Sequence, residues 1–329
     1  MNTGSGAPRN AEFSLIDRIR ERVRLRPDVV LGIGDDAALL QVPDGMQLVL
    51  STDTLVSGVH FPADTAPADI GWKSLSVNLS DLAAMGAEPA WVTLALTLPD
   101  ADPDWLDSFL DGFFELADAR GVALVGGDTT RGPLSITVGA HGFVPAGTAL
   151  RRDGAGFNDD IWVTGSLGDA AGALRQWQGQ GLVSMKLRHR LDRPSPRIDA
   201  GRALRDLATS AIDISDGLLA DLGHVLERSG VGAELDLGRL PTSRTLADHF
   251  PDEHIRWRLQ LSGGDDYELC FTAAPAHALA IEQAMAACET PATVIGRITR
   301  EAGLRLHTPD GSEFDAGSSP GFEHFGPVP

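Results

Sequence analysis

Five short acidic clusters, each set beside glycine, serine or threonine, constrain this chain more than any other feature. They are Gly34-Asp35-Asp36, Ser51-Thr52-Asp53-Thr54, Asn78-Leu79-Ser80-Asp81, Gly126-Gly127-Asp128 and Asp213-Ile214-Ser215-Asp216. Apolar, β-forming runs lead into three of them, so Asp53, Asp128 and Asp213 are predicted at points where strands leave their sheets. A lone aspartate in such a place is a cap or a turn. Five together point to one site for magnesium and phosphate. Magnesium takes oxygen ligands and keeps waters, so each ion needs only one or two carboxylates beside substrate phosphates. The neighbouring glycines let a backbone without Cβ approach phosphate oxygens and donate N–H groups.

The charge balance narrows the partners. The formal net charge is −19, and Lys73 and Lys186 are the only lysines. Such acidity disfavours nucleic acid and anionic membranes. A small polyanion such as ATP remains compatible if metal ions supply the positive charge. Cys270 and Cys288 form no disulfide framework, and Cys270 sits in an apolar run as packing. Residues 1–10 are polar and predicted to be disordered, with no signal segment. No apolar run reaches the roughly 18 residues of a membrane span. The expectation is a soluble, cytoplasmic protein.

Periodicity gives an α+β chain of two mixed α/β domains. Ser14 is the predicted cap of a first helix. Strands follow over 29–33, 37–42 and 48–52, the first two flanking Gly34-Asp35-Asp36. Over 69–85 the spacing predicts a helix with Leu75, Leu79 and Leu82 buried and a second, polar stripe of Ser74, Asn78 and Asp81. A strand over 91–96, a helix over 105–120 and strands over 122–125 and 134–144 complete the domain 11–149, with a polar junction at Arg151-Arg152-Asp153-Gly154. The domain 150–329 has a C-terminal sheet covered by helices. Its main signals are Ile161-Trp162-Val163-Thr164, the strand into Asp213, a leucine-rich helix closed by Gly230, and Ser262-Gly263-Gly264-Asp265-Asp266. Walker, protein-kinase, nucleophile-elbow and zinc patterns are missing. Taken alone, His60 reads as a hydrogen-bonded structural histidine, Lys73 as a surface or helix-packing residue, and Phe322 as a docking aromatic.

Taken in order, these pieces resemble the thiamine-monophosphate kinases, in the superfamily of aminoimidazole ribonucleotide synthetase and selenophosphate synthetase. The resemblance runs through Glu12-Phe13, Gly34-Asp35-Asp36, Thr52-Asp53, Gly58-Val59-His60-Phe61, Gly71-Trp72-Lys73, Asn78-Leu79-Ser80-Asp81 and Gly126-Gly127-Asp128. It continues through Arg152-Asp153-Gly154-Ala155, Thr164-Gly165-Ser166-Leu167-Gly168-Asp169, Asp213-Ile214-Ser215-Asp216-Gly217, Asp266-Tyr267-Glu268-Leu269 and Gly321-Phe322 with His324-Phe325. It implies ATP-dependent phosphorylation of thiamine monophosphate to thiamine diphosphate. Magnesium would be held by Asp36, Ser51, Thr52, Asp53, Asp81, Asp128, Asp213 and Asp216. ATP would be held by Gly127, Asp128, Arg152 and Ser215, and thiamine monophosphate by His60, Asp265 and Phe322. The family usually has glutamate where this chain has Asp265. The resemblance also implies a homodimer pairing through its N-terminal sheets. The substrate's own phosphate oxygen is the nucleophile, so direct in-line transfer without a phosphoenzyme is expected. The rival readings are another ATP-using enzyme of the superfamily, such as aminoimidazole ribonucleotide synthetase, and a non-catalytic divalent-cation scaffold.

Overall fold

The computed structural model of the chain describes residues 11–24, 26–317 and 321. The expected disorder of residues 1–10 and the expected site residue Phe322 therefore lie outside the described residues. The chain divides into two units, residues 1–78 with 89–143 and residues 79–88 with 144–329.

In the first unit, α1 (Ala11–Arg22) begins upstream of the predicted cap at Ser14. β1 (Val29–Leu31) and β2 (Leu39–Leu40) pair antiparallel around the Gly34-Asp35-Asp36 turn. Then come β3 (Met46–Val56), α2 (Pro67–Ala84), β4 (Glu88–Leu98), α3 (Pro103–Arg120), β5 (Ala123–Arg131) and β6 (Ser135–Pro145), with the tail of α2 counted in the second unit. The four-stranded sheet runs β3-β6-β4-β5, with β4 and β5 parallel and joined through α3. α3 forms because Asp102 accepts the N–H groups of Asp104 and Trp105, Pro103 occupies the first turn, and Gly121 closes the end at φ 63°. Its buried face carries Leu106, Phe109, Leu110, Phe113 and Ala117, as the periodicity predicts. Two glycines let α2 and α3 pack closely. A Cβ on Gly71 would overlap the Phe109 carbonyl, and one on Gly112 would overlap the Ala68 carbonyl.

Two expectations about strand ends are corrected here. Asp53 lies inside the long strand β3 rather than at its exit, and Gly126-Gly127-Asp128 lies inside β5. Leu124 pairs with Val92 but Gly126 pairs with Thr93, so β5 carries one extra residue at Val125 and then continues. A Cβ on Gly127 would overlap the Leu94 carbonyl, which is why β5 stays in the sheet only with glycine there. The glycines read as a turn; they serve a bulged strand instead.

The second unit is built from β7 (Asp160–Thr164), α4 (Asp169–Gln178), α5 (Met185–Asp192), α6 (Ile198–Ala203), β8 (Ser210–Asp213) and α7 (Leu218–Ser229). β9 (Gly232–Asp236), α8 (Arg244–His249), α9 (Glu253–Ser262), β10 (Leu269–Ala273), α10 (Ala278–Ala287), β11 (Ala292–Thr299) and β12 (Gly303–His307) complete it. Its six-stranded sheet runs β12-β9-β11-β7-β10-β8, antiparallel except where β12 meets β9. α7 buries Leu218, Leu219, Leu222, Val225 and Leu226 in the core over that sheet. Each such side chain contributes about 1.5–3 kcal/mol of transfer free energy. Gly230, at φ 66°, ends the helix. Here Asp213 does close its strand, as expected.

Candidate active site

In the first unit the acidic residues are set by β3 and by the polar face of α2. That polar face is largely buried: Ser74 and Asn78 are fully buried and Asp81 is half-buried. The Asn78 carboxamide accepts the Asp53 N–H at 3.0 Å and donates to the Ser74 carbonyl at 3.0 Å. An amide that is satisfied on both sides has one orientation, so α2 fixes the backbone that carries Asp53. Ser51 and Asp53 are half-buried, while Thr52, Asp36 and Asp128 are exposed. The Asp36 N–H donates to the Asp35 carboxylate at 2.8 Å, which tightens that turn. His60 returns to its own strand, where its Nδ1 accepts the Val56 N–H at 3.0 Å. That bond places the proton of the neutral ring on Nε2. Lys73 is buried at 1 % exposure on α2, which removes the surface alternative for it and leaves helix packing.

In the second unit, Asp213 is 3 % exposed and accepts the Ser80 hydroxyl at 2.8 Å, next to the half-buried Asp81. The turn that follows is held from below by Asp221, a residue the sequence pattern did not single out. One oxygen of Asp221 accepts the N–H groups of Ser215 and Asp216 at 2.9 and 3.1 Å. Burial pushes the Asp221 carboxyl up to about 7, and the nearby charge of Asp216 adds to the rise.

A loop over 263–268 is tied to the same turn. The Asp265 N–H donates to the Ser215 carbonyl and the Tyr267 N–H to the Ile214 carbonyl, both at 2.8 Å. A Cβ on Gly264 would overlap the Ser215 carbonyl, so the approach requires glycine. Asp266 is buried and accepts the Gly168 N–H at 2.9 Å. Glu268, fully buried, accepts Arg197 at 2.5 and 2.6 Å, Arg190 at 2.8 Å and the Thr164 hydroxyl at 2.7 Å. Of this acidic run, Asp266 and Glu268 build the loop, while Asp265 is half-buried.

Arg152 is exposed and lines a cavity of about 650 Å³ with His224, Glu227 and Arg228. The Ser229 hydroxyl holds its loop, donating to the Arg152 carbonyl and accepting the Ala155 N–H. The neighbours Arg151 and Asp153 form a bidentate pair at 2.9 and 2.6 Å. The cationic groups of this cavity are Arg152 and Arg228, with Glu227 beside them.

The donor set fits magnesium. Every expected ligand offers oxygen, from carboxylate, hydroxyl or carbonyl, which is what a small hard cation takes. Among the described residues, no three or more His, Cys, Asp or Glu groups are clustered to hold a metal unaided.

The chain matches two family models, the AIR synthase related protein N-terminal domain over residues 34–144 and its C-terminal domain over residues 158–308. It is 54 % identical over 297 residues to the thiamine-monophosphate kinase of Escherichia coli K12, covering 88 % of this chain and 91 % of that one. The crystal structure of thiamine-monophosphate kinase from Stenotrophomonas maltophilia K279a superposes with a TM-score of 0.85 at 55 % identity, over 90 % of this chain and 96 % of that one. AaThiL complexed with AMPPCP and TMP gives 0.75 at 31 % identity, over 98 % and 100 %.

Proposed function

This chain belongs to the thiamine-monophosphate kinases of the AIR synthase related family, and we propose that it passes the γ-phosphoryl group of ATP to thiamine monophosphate in one in-line step, assisted by several magnesium ions. The observation that carries this reading is the relative AaThiL, similar over nearly the whole chain and solved with AMPPCP and TMP. ATP-dependent phosphorylation of thiamine monophosphate is the family activity. The ions, the in-line path and the residue roles are our proposal.

The chemistry asks little of a protein base. The acceptor is an anionic phosphate oxygen, so the difficulty is bringing two polyanions into line. Magnesium, when bound, would supply positive charge at the phosphates in a chain of net charge −19. Asp36, Ser51, Thr52, Asp53, Asp81, Asp128, Asp213 and Asp216 would hold it. Gly127, Asp128, Arg152 and Ser215 would hold ATP. Asp221 keeps the turn of Ser215 and Asp216 in one shape through its two N–H bonds. His60 donates from Nε2 toward thiamine monophosphate, while the Asp265 carboxylate faces its cationic thiazolium. Phe322 completes this substrate set in the proposal. In this proposal the domain 11–149 binds ATP and magnesium and makes the dimer, and 150–329 is the C-terminal α+β domain.

Support for the dimer comes from β3. It is an edge strand of 11 residues with Met46, Leu48 and Leu50 exposed in alternation. An uncovered apolar edge of that length is a pairing surface. Among the described residues no helix is long and apolar enough to cross a membrane. We place the enzyme in the cytoplasm as part of this proposal.

Incubation with γ-labelled ATP, magnesium and thiamine monophosphate tests the mechanism. Label is expected in thiamine diphosphate and never on the protein. A trapped phosphoprotein would overturn the single-step path. Turnover with formylglycinamidine ribonucleotide instead would move the chain to a different branch of the family, and magnesium binding without turnover would leave a scaffold.

A further inference from the structure

Asp265 and Tyr267 both lie in the left-handed region, at φ 67° and 49°. Non-glycine residues stay there only when their surroundings over-determine them. The backbone bonds to Ser215 and Ile214 do this for each residue in turn, and the carboxylate of Asp266 between them accepts the Gly168 N–H. The curl brings the Tyr267 hydroxyl 3.0 Å from a carboxylate oxygen of Asp265. The phenol ring is 8 % exposed and so has a fixed place from which to donate. Tyr267 is also the single tyrosine of the chain.

We propose that Tyr267 is a positioning residue for the substrate: its hydroxyl orients the Asp265 carboxylate toward the cationic thiazolium of thiamine monophosphate. The proposal rests on the reading of Asp265 as a substrate contact. A carboxylate on a single methylene has little reach, so its direction is set by its backbone and by what holds it. Here the backbone is locked by the neighbouring turn and the carboxylate is held by the phenol.

Tyr267→Phe removes the hydroxyl and keeps the ring. The expected result is a KM for thiamine monophosphate raised roughly tenfold, with the KM for ATP within about twofold of the parent. In an Asp265→Asn background the same change adds less than about twofold, because the two residues act as one unit. Fluorotyrosine labelling gives one ¹⁹F resonance, which shifts on addition of thiamine monophosphate in the parent and not in Asp265→Asn. If Asp265→Asn leaves the KM for thiamine monophosphate unchanged, the substrate role of Asp265 fails and the proposal fails with it. If Asp265→Asn is impaired but Tyr267→Phe is silent, additive or equally damaging to both KM values, the proposal alone fails. A Tyr267→Phe protein without a cooperative thermal transition would make the hydroxyl a structural bond and overturn the proposal as well.

Discussion

Glu268 is the residue whose chemistry is most easily mistaken from sequence. It sits in an acidic run that resembles a ligand set, yet it is fully buried between Arg190, Arg197 and Thr164. Removing one member of a buried pair leaves uncompensated charge, so Glu268→Ala is expected to cost about 3–5 kcal/mol in stability, read by chemical denaturation. Cys270 is the opposite case, since its apolar neighbours already marked it as packing. Burial, with the charge of Asp221, pushes its thiol from the ordinary 9.0 up to about 12. Its folded form thus holds a proton that the unfolded form gives up. The stability this adds is complete below about pH 9 and is lost as pH rises toward 12. Alkylation at pH 8 is expected to modify Cys288 in the native protein and Cys270 only after unfolding, with mass spectrometry as the readout. The contact between Tyr267 and Asp265 was not legible in the sequence, because it depends on two left-handed backbone angles that no residue type announces.

At the scale of elements, the helices were readable and the strands less so. The helix α3 was read over 105–120 from its apolar stripe, and the structure starts it at Pro103, behind the Asp102 cap, and closes it at Gly121. β3 and β5 were read too short, because Asp and Gly-Gly-Asp are ordinary breakers while here they lie within paired strands. The bulge at Val125 is what reconciles a glycine pair with a continuing strand. The polar stripe on α2 posed the converse problem: sequence gives its spacing, whereas only the fold shows it buried and bonded to Asp53. β3 supports a prediction of its own. Leu50, 63 % exposed on the edge strand, is available to a second copy, and Leu50→Arg places a charge in that seam. The expected result is a shift from dimer to monomer in analytical ultracentrifugation. An unchanged mass would remove β3 from the interface.

Across the whole molecule, the order of acidic clusters was the legible part, and the bonds that aim them were not. Asn78, Asp221 and Ser80 hold the backbone or carboxylate of neighbouring acidic residues; Asn78 and Ser80 reach their partners through the fold, while Asp221 bonds back along the chain to Ser215 and Asp216. In the proposed function a protein of net charge −19 handles two phosphorylated substrates through what those carboxylates bind. Asp53→Asn tests this most directly, since it removes one charge on β3 and leaves the Asp53 N–H bond to Asn78 available. Thiamine diphosphate formation at saturating magnesium is predicted to fall by at least about 100-fold with the circular dichroism spectrum unchanged. Near-normal turnover in that variant would contradict the account.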